Sequence, residues 1–242
     1  MKKRNEDQLL AEIAELKKEL GAKRRIITNL GQFVEPVVAQ SIISGGHLPF
    51  SKGERKILSI LFSDVRNFTT HAEKMDPETV IQVVNILLQN LGQVIFEHGG
   101  TVDKVMGDCI MAIFGIEGED DHAAQAVKAA IAMQVKMASL QKIFAKLKSP
   151  ELEIRIGVNT GEVVVGYVGT AGFKDFTSIG DHVNIASRLE GLNKETGTKI
   201  LVGGNTYRLA RKYLPESFFE RLGNKMVKGK TKEVEVYQVL LG

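Results

Sequence analysis

The sequence has little cysteine and no long uninterrupted apolar segment. Cys109 is the only cysteine among 242 residues, which excludes an intrachain disulfide framework and a cysteine-based zinc site. No apolar run reaches the roughly 20 residues that a membrane-spanning helix needs. No apolar segment follows the charged N-terminus, so no signal peptide is predicted. We therefore expect a cytoplasmic chain with no membrane segment of its own.

The sequence also lacks an excess of charge of one sign. Its 32 Lys and Arg residues against 29 Asp and Glu residues give a formal net charge of +3. This balance indicates neither a polybasic nucleic-acid-binding surface nor an acidic tail, and we expect no nucleic-acid partner. The chain is 43% hydrophobic, which is enough for one folded domain with an appendage and excludes disorder of the whole chain.

Residues 6–37 have the pattern of a coiled-coil helix. Apolar residues recur there with alternating spacings of four and three, interrupted by Lys23 at one core position, and they are Leu9, Ile13, Leu16, Leu20, Ile27, Leu30, Val34 and Val37. So narrow an apolar stripe suits a partner helix better than a broad core, and it predicts a parallel dimerisation stalk. The alternative is a helix that packs on its own domain.

After residue 50 the pattern changes to short strands and helices, so we predict a stalk and linker in residues 1–50 and a globular domain in residues 51–242. Predicted strands cover residues 57–62, 101–105, 110–114, 152–158, 162–168, 199–202, 218–222 and 234–240, and predicted helices cover 76–98, 120–147 and 181–195. Gly107-Asp108 and Asn159-Thr160-Gly161 are interpreted as turns that each join two strands. Strands that alternate with helices but are joined by tight hairpins predict an α+β fold with a largely antiparallel sheet.

Two aspartates lie next to predicted strands. Asp64 follows the apolar strand 57–62, and Asp108 lies in the predicted hairpin turn. Carboxylates at the ends of adjacent strands can share divalent cations, and hard oxygen ligands suit Mg²⁺ or Mn²⁺. An aspartate at a strand end is, however, usually a turn or capping residue. Spacing alone therefore leaves the metal site as one of two interpretations.

Two further polar segments have ordinary interpretations when they are taken alone. Asn184 and Arg188 are four residues apart and share one face of the helix 181–195, which is most often simply a solvated face. Lys228 begins the basic segment Lys228-Gly229-Lys230, which is most often a hairpin turn.

In their order and distances, these segments resemble the catalytic domain of class III nucleotide cyclases. The resemblance extends from about Arg55 to Leu240 and rests on the motifs FSDVRNFT, HGGTVDKVMGD, IRIGVNTGEVVVGYVG, FTSIGDHVNIASRLE and VKGK. It implies a ferredoxin-like α+β fold whose mostly antiparallel sheet is flanked by helices, here preceded by the coiled-coil stalk. The stalk itself resembles the dimeric linker that couples such domains to a sensor. It implies an upstream sensor domain in a parent protein, which is compatible with membrane association of that parent.

The reaction that the resemblance implies is attack of a ribose 3′-hydroxyl on the α-phosphate, with release of pyrophosphate. Two Mg²⁺ or Mn²⁺ ions per active site assist such a step by holding the attacking and leaving oxygens. On this resemblance the metal ligands are Asp64, the backbone carbonyl of Val65, and Asp108.

The resemblance also implies roles for three polar residues. Arg188 matches the arginine that stabilises charge on the α-phosphate, and Asn184 matches the asparagine that orients the ribose. Lys228 matches the lysine that binds the terminal phosphates.

Two residues match the family's base-selecting positions, Lys104 and Thr177. Adenine presents an acceptor at N1 and a donor at N6, whereas guanine presents the reverse. Lys104 can donate to N1, and the Thr177 hydroxyl can accept from N6. A hydroxyl also donates, so Thr177 is a weaker selector than a carboxylate. ATP is therefore the expected substrate.

In this family the active site forms between two subunits, which implies a homodimer held by the catalytic domain and the coiled coil. The aspartates come from one subunit, and the base-selecting pair, the asparagine and the arginine come from the other. Two alternatives remain, a guanylate cyclase and a non-catalytic nucleotide-binding signalling module. Cys109 is interpreted as a buried, unreactive thiol.

Overall fold

The structure is a computed structural model, and it describes residues 12–13, 50–170, 174–227 and 233–241. The chain divides into two compact units, Met1–Ser51 and Lys52–Gly242. Within the predicted stalk only Glu12 and Ile13 are described, and both are helical. The prediction of a coiled coil otherwise lies outside the described residues, as does the predicted phosphate-binding residue Lys228.

The described part of Lys52–Gly242 contains eight strands and five α-helices. The strands are β1 (Glu54–Val65), β2 (Thr101–Met106), β3 (Cys109–Phe114), β4 (Ile154–Gly169), β5 (Lys174–Ile179), β6 (Ile200–Gly203), β7 (Phe219–Lys225) and β8 (Val234–Val239). The helices are α1 (Phe68–Ala72), α2 (Pro77–Glu97), α3 (His122–Lys146), α4 (Asp181–Thr196) and α5 (Gly204–Ala210).

All eight strands form one sheet in the order β2-β3-β1-β4-β6-β8-β7, with β5 also paired to β4. Among these pairs only β4 with β6 is parallel. The α+β fold with a mostly antiparallel sheet is therefore confirmed. The central strand β4 pairs with β1 on one edge, and on its other edge it pairs first with β6 and then with β5.

Helices cover both faces of the sheet because successive strand residues point to opposite sides. Ile200 and Val202 of β6 lie in the main core with buried residues of α2 and α3. Leu201, between them, lies in a second core with Ile185 and Leu189 of α4. The helix that bears Asn184 and Arg188 is thereby held against the opposite face from α2 and α3.

The predicted helices agree with α2, α3 and α4 to within two residues at each end. Pro77 occupies the first position of α2 after Asp76, as predicted, although the Asp76 side chain makes no capping hydrogen bond. Strand β5 and the short helices α1 and α5 were not predicted from the sequence. Most of β5 is polar, and α1 and α5 have only five and seven residues, so none of them has a strong periodic pattern.

The predicted turn at Asn159-Thr160-Gly161 is wrong, because these residues lie inside the continuous strand β4. Their polar side chains find partners within the fold. Asn159 Nδ2 lies 3.0 Å from His182 Nδ1, and Thr160 Oγ1 lies 2.7 Å from Ser59 Oγ. A Cβ atom on Gly161 would lie 2.3 Å from the His182 ring. The glycine is thus required for close packing of α4, and not for a turn.

Gly157 offers a direct test of that packing. A Cβ atom there would lie 2.2 Å from the Glu190 nitrogen and 2.3 Å from the Ala186 oxygen, which are both backbone atoms of α4. We expect Gly157→Ala to lower the free energy of unfolding by about 3 kcal/mol or more, because α4 must move off the sheet. Urea unfolding measures this change.

The matched control is Gly191→Ala in the same helix. No neighbouring atom lies within 4 Å of a Cβ at Gly191. This variant should gain about 0.5–1 kcal/mol from the better helix propensity of alanine. Equal unfolding midpoints for the two variants would contradict the close approach of α4 to β4.

One described helix, α2, is long and apolar enough by length and composition to cross a membrane, with a mean hydropathy of 1.4 over its best window. The core helix of a water-soluble protein can pass the same test. In this structure Val83, Leu87, Leu91 and Ile95 of α2 are at most 1% exposed and belong to the main hydrophobic core. Their burial favours the interpretation of α2 as a core helix.

Candidate active site

The structure brings the two predicted metal-binding aspartates together. Asp64 lies near the end of β1, and Asp108 lies in the tight turn between β2 and β3. The carboxylate Oδ2 of Asp108 accepts a hydrogen bond of 3.2 Å from the Val65 amide, directly after Asp64. Burial and the neighbouring Asp108 carboxylate raise the pKa of Asp64. Burial likewise raises the pKa of Asp108, while hydrogen bonds from its own amide and from Val65 oppose the shift.

A third acid and one arginine lie beside this pair. Arg155 is opposite Asp64 in the pairing of β1 with β4, and its Nε lies 3.3 Å from Glu190 Oε1 on α4. Burial and the charge of Asp64 raise the pKa of Glu190 to about 7, and Arg155 opposes the shift. Burial together with the nearby acids also raises the pKa of the Cys109 thiol to about 12. The thiol is therefore unreactive near neutral pH, although it is half-buried and not fully buried as predicted.

The two aspartates fit a divalent cation. Their carboxylates are partly desolvated and repel each other, and a doubly charged ion relieves both costs. Carboxylate oxygens are ligands that Mg²⁺ and Mn²⁺ prefer. No group of three or more His, Cys, Asp or Glu side chains with metal-binding geometry occurs in the described part of the chain.

Lys104 lies on β2 between two acidic side chains. Its Nζ donates a 2.7 Å hydrogen bond to Asp175 Oδ2 on β5, and it lies 3.6 Å from Asp103 Oδ1. Burial lowers the pKa of Lys104, but the Asp175 hydrogen bond and the Asp103 charge outweigh it, so the net shift is upward. Lys104 is thus a charged donor whose position is set by two carboxylates.

Thr177 lies on β5 and is joined to β2 through Asp103. Its Oγ1 donates a 3.2 Å hydrogen bond to Asp103 Oδ2, and it lies 3.5 Å from the Ser178 carbonyl oxygen. Asp103 and Lys104 are consecutive, so one short segment of β2 carries Lys104 and also contacts Thr177. Lys104 and Thr177 therefore contact the two oxygens of the same Asp103 carboxylate.

Asn184 and Arg188 share one face of α4, as the sequence predicted. Asn184 is exposed and Arg188 is half-buried. Neither makes a hydrogen bond or an ion pair to another side chain in the ranges that the structure describes. The same ranges contain no hydrogen bond or ion pair that joins Asp64 or Asp108 to Lys104 or Thr177. Within the described residues, the aspartate pair, the Lys104 and Thr177 group, and the Asn184 and Arg188 pair are thus not joined to one another by side-chain hydrogen bonds or ion pairs.

The family model of the adenylate and guanylate cyclase catalytic domain matches residues 51–240. This chain belongs to that family. The cyclase domain thus accounts for the motifs on β1, the β2–β3 hairpin, β4, β5 and α4.

Two curated relatives are named as adenylate cyclases. The chain is 36% identical to one from Anabaena cylindrica over 93% of this chain and 44% of the relative. It is 29% identical to adenylate cyclase 1 of Rhizobium meliloti over 96% of this chain and 34% of the relative. The chain therefore spans less than half the length of these two relatives.

Solved structures of both substrate types are similar to this cyclase domain. The adenylyl cyclase CyaB from P. aeruginosa is 35% identical with a TM-score of 0.71, over 78% of this chain and 95% of that chain. The guanylyl cyclase Cya2 is 33% identical with a TM-score of 0.69, over 77% of this chain and 93% of that chain. Overall similarity therefore does not decide between ATP and GTP, and the choice depends on the base-contacting residues.

Four residues near the site were not singled out from the sequence, namely Asp103, Arg155, Asp175 and Glu190. Asp103 had a usable signal, because it precedes Lys104 in the motif HGGTVDKVMGD. Arg155 and Glu190 had the same kind of signal, because they lie in the motifs IRIGVNTGEVVVGYVG and FTSIGDHVNIASRLE, whereas Asp175 lies outside the motifs.

Proposed function

We propose that this chain is an adenylate cyclase, which converts ATP to 3′,5′-cyclic AMP and pyrophosphate. The observation that supports this is the contact of both Lys104 and Thr177 with the Asp103 carboxylate. An ammonium donor beside a hydroxyl matches the acceptor at N1 and the donor at N6 of adenine. Against guanine, Lys104 would face the N1–H donor, and a pocket with unpaired polar groups rejects the wrong base strongly.

Asp64, Asp108 and the Val65 carbonyl are proposed to hold two Mg²⁺ or Mn²⁺ ions. When bound, the ions supply activation of the ribose 3′-hydroxyl and neutralisation of the triphosphate charge. This assignment is supported by the proximity of the two aspartates and by their burial, which raises the pKa of both, and at Asp64 the charge of Asp108 raises the pKa further.

The remaining contacts come from α4 and from the segment before β8. Arg188 stabilises the charge on the α-phosphate, and removal of such a donor typically costs about 10²–10³-fold in kcat. Asn184 orients the ribose, and Lys228 binds the terminal phosphates. The absence of competing ion pairs at Arg188 within the described residues leaves its guanidinium available for an anion.

The site is proposed to form twice in a homodimer, with Asp64 and Asp108 from one subunit and the other side chains from its partner. Large apolar side chains that are 41–62% exposed lie on β1, β2, β4 and β5, namely Ile57, Val105, Met106, Val164, Val168 and Ile179. Exposed apolar groups on neighbouring strands can contribute to a protein interface. The coiled-coil stalk and an upstream sensor domain remain proposals of the same kind.

The deciding experiment is product formation from ATP and, separately, from GTP, with Mg²⁺ or Mn²⁺. We expect cyclic AMP from ATP, and we expect Asp108→Ala to lower its rate by about 10³-fold because the ions lose a ligand. Cyclic GMP in excess would leave the metal assignment standing but would contradict the assignment of the base. No cyclic product with either metal, together with nucleotide binding, would favour a non-catalytic signalling module.

A further inference from the structure

Asp103 occupies an irregular position in the β2–β3 hairpin. Val102 is opposite Ala112 and Lys104 is opposite Met111, so the register shifts at Asp103 and leaves it as an extra residue. Such β-bulges re-aim a side chain and are common beside active sites. The Asp103 side chain is fully buried and reaches β5, where Thr177 lies.

The hydrogen bonds of Asp103 determine which way its neighbours donate. Its Oδ2 accepts a 3.2 Å bond from the Ser178 amide, and an amide N–H can only donate. An ionised carboxylate can only accept, so the hydroxyls of Ser178 and Thr177, also at 3.2 Å, both donate to Oδ2.

The only other partner of the Thr177 hydroxyl in the described residues is the Ser178 carbonyl oxygen, at 3.5 Å. A carbonyl oxygen is also purely an acceptor. The Thr177 hydroxyl has a single proton and both of its partners are acceptors, so the proton is directed to the protein and not to a ligand. What remains for a ligand is the oxygen lone pairs, so the hydroxyl presents itself as an acceptor.

We propose that Asp103 is a positioning residue for base selection, which turns the ambivalent Thr177 hydroxyl into an acceptor for the N6 amino group of adenine. This inference rests on the proposed adenylate cyclase function and adds a cause for its specificity. The O6 carbonyl of guanine is itself an acceptor, so it meets only lone pairs at Thr177. Because of Asp103, the Thr177 hydroxyl acts towards the base only as an acceptor, as a carboxylate would.

The test is a double-mutant cycle on the ratio of kcat/KM for ATP to kcat/KM for GTP. Asp103→Asn keeps the side-chain shape but places an amide donor in the network, and Asp103→Ala removes the acceptor altogether. We expect either change to lower the ratio by about 10–100-fold, the range for loss of a hydrogen bond to a charged group. In a Thr177→Val background, the same changes should lower the ratio by no more than about 3-fold, because no hydroxyl is left to orient.

An equal change in both backgrounds, or no change in either, would overturn the inference, since a merely structural role is independent of the Thr177 hydroxyl. Asp175→Asn is the matched control. This substitution removes the other carboxylate that contacts Lys104. Asp175 makes no contact with Thr177 in the described residues, so the substitution should change the ratio by the same factor whether residue 177 is threonine or valine. Circular dichroism and unfolding curves establish that each variant is folded.

The parent chain is assayed first, which separates the two claims. If the parent forms cyclic AMP but substitution of Asp103 leaves the ratio of kcat/KM for ATP to kcat/KM for GTP unchanged, only the role of Asp103 is contradicted. A parent that turns over neither nucleotide contradicts the proposed function. In that case the Kd values for ATP and GTP are measured for the same variants. If substitution of Asp103 leaves the ratio of these Kd values unchanged, the inference is overturned there as well.

Discussion

Asp64→Ala and Arg188→Ala should each reduce cyclic AMP formation to under about 1% of the parent, and a mixture of the two should recover activity. Under the proposed shared site, a heterodimer of the two variants has both lesions in one site and an intact second site. Random pairing makes about half of the dimers heterodimers, so about a quarter of the parent activity should return. The measurement is cyclic AMP formation after the two chains are refolded together or coexpressed.

The control is a mixture of Asp64→Ala with Asp108→Ala. Both lesions then affect the metal-binding half of the site, so every dimer has two defective sites and no activity should return. If activity returns only in the mixture of Asp64→Ala with Arg188→Ala, then Asp64 and Arg188 of one site come from different subunits. Absence of recovery in both mixtures, with heterodimers present, would show that each site is built within a single chain.

Lys104→Glu should lower kcat/KM for ATP by about 10³-fold, and kcat/KM for GTP should not rise to the value that the parent has for ATP. The new carboxylate cannot donate to N1 of adenine. The N1–H of guanine gains an acceptor, but its O6 still faces the acceptor lone pairs of Thr177. A variant that keeps its ATP preference and loses less than about 10-fold in kcat/KM would contradict the assignment of Lys104 as the residue that contacts the base.

The same change should also destabilise the domain in a pH-dependent way. Lys104 is the cation between Asp103 and Asp175, and its replacement leaves three carboxylates together, at a cost of about 2 kcal/mol near neutral pH. Burial already raises the pKa of Asp103, and added negative charge raises it further. An acid with a raised folded-state pKa binds more protons when folded, so the stability of the variant falls as pH rises and returns as pH falls.

Lys174→Glu is the matched control for this electrostatic effect. Lys174 is exposed at the start of β5, next to Asp175 in the sequence, and the same change of charge there should alter the unfolding free energy by less than about 0.5 kcal/mol. Urea unfolding of both variants at two pH values measures the difference. Equal losses at the two positions would contradict the role of Lys104 as the shared counter-ion.

The sequence alone was enough to predict the order and type of most elements. The helices α2, α3 and α4 have strong apolar periodicity and clear boundaries, so they were predicted to within two residues at each end. The β2–β3 hairpin was predicted from Gly107-Asp108 between two apolar runs. These signals are local, since each depends on residues that are close together in the sequence.

The sequence failed where long-range contacts override local preference. Asn159-Thr160-Gly161 has the composition of a turn, yet in the fold Ser59, His182 and the neighbouring strands satisfy its polar groups and extend β4 through it. Polar residues favour turns only when no other partner is available. Such partners become visible only when distant segments are brought together.

The sequence by itself determined the family and the chemical types at the site, because the motifs place carboxylates, a lysine, a hydroxyl, an asparagine and an arginine in a distinctive order. Only the tertiary structure decided how these groups are tuned. The contact between Asp103 and Thr177 joins residues 74 apart in the chain, and a β-bulge aims the aspartate at its partner. Hydrogen-bond direction depends on the partners that folding supplies, and so the preference of a hydroxyl for one base cannot be read from the residue alone.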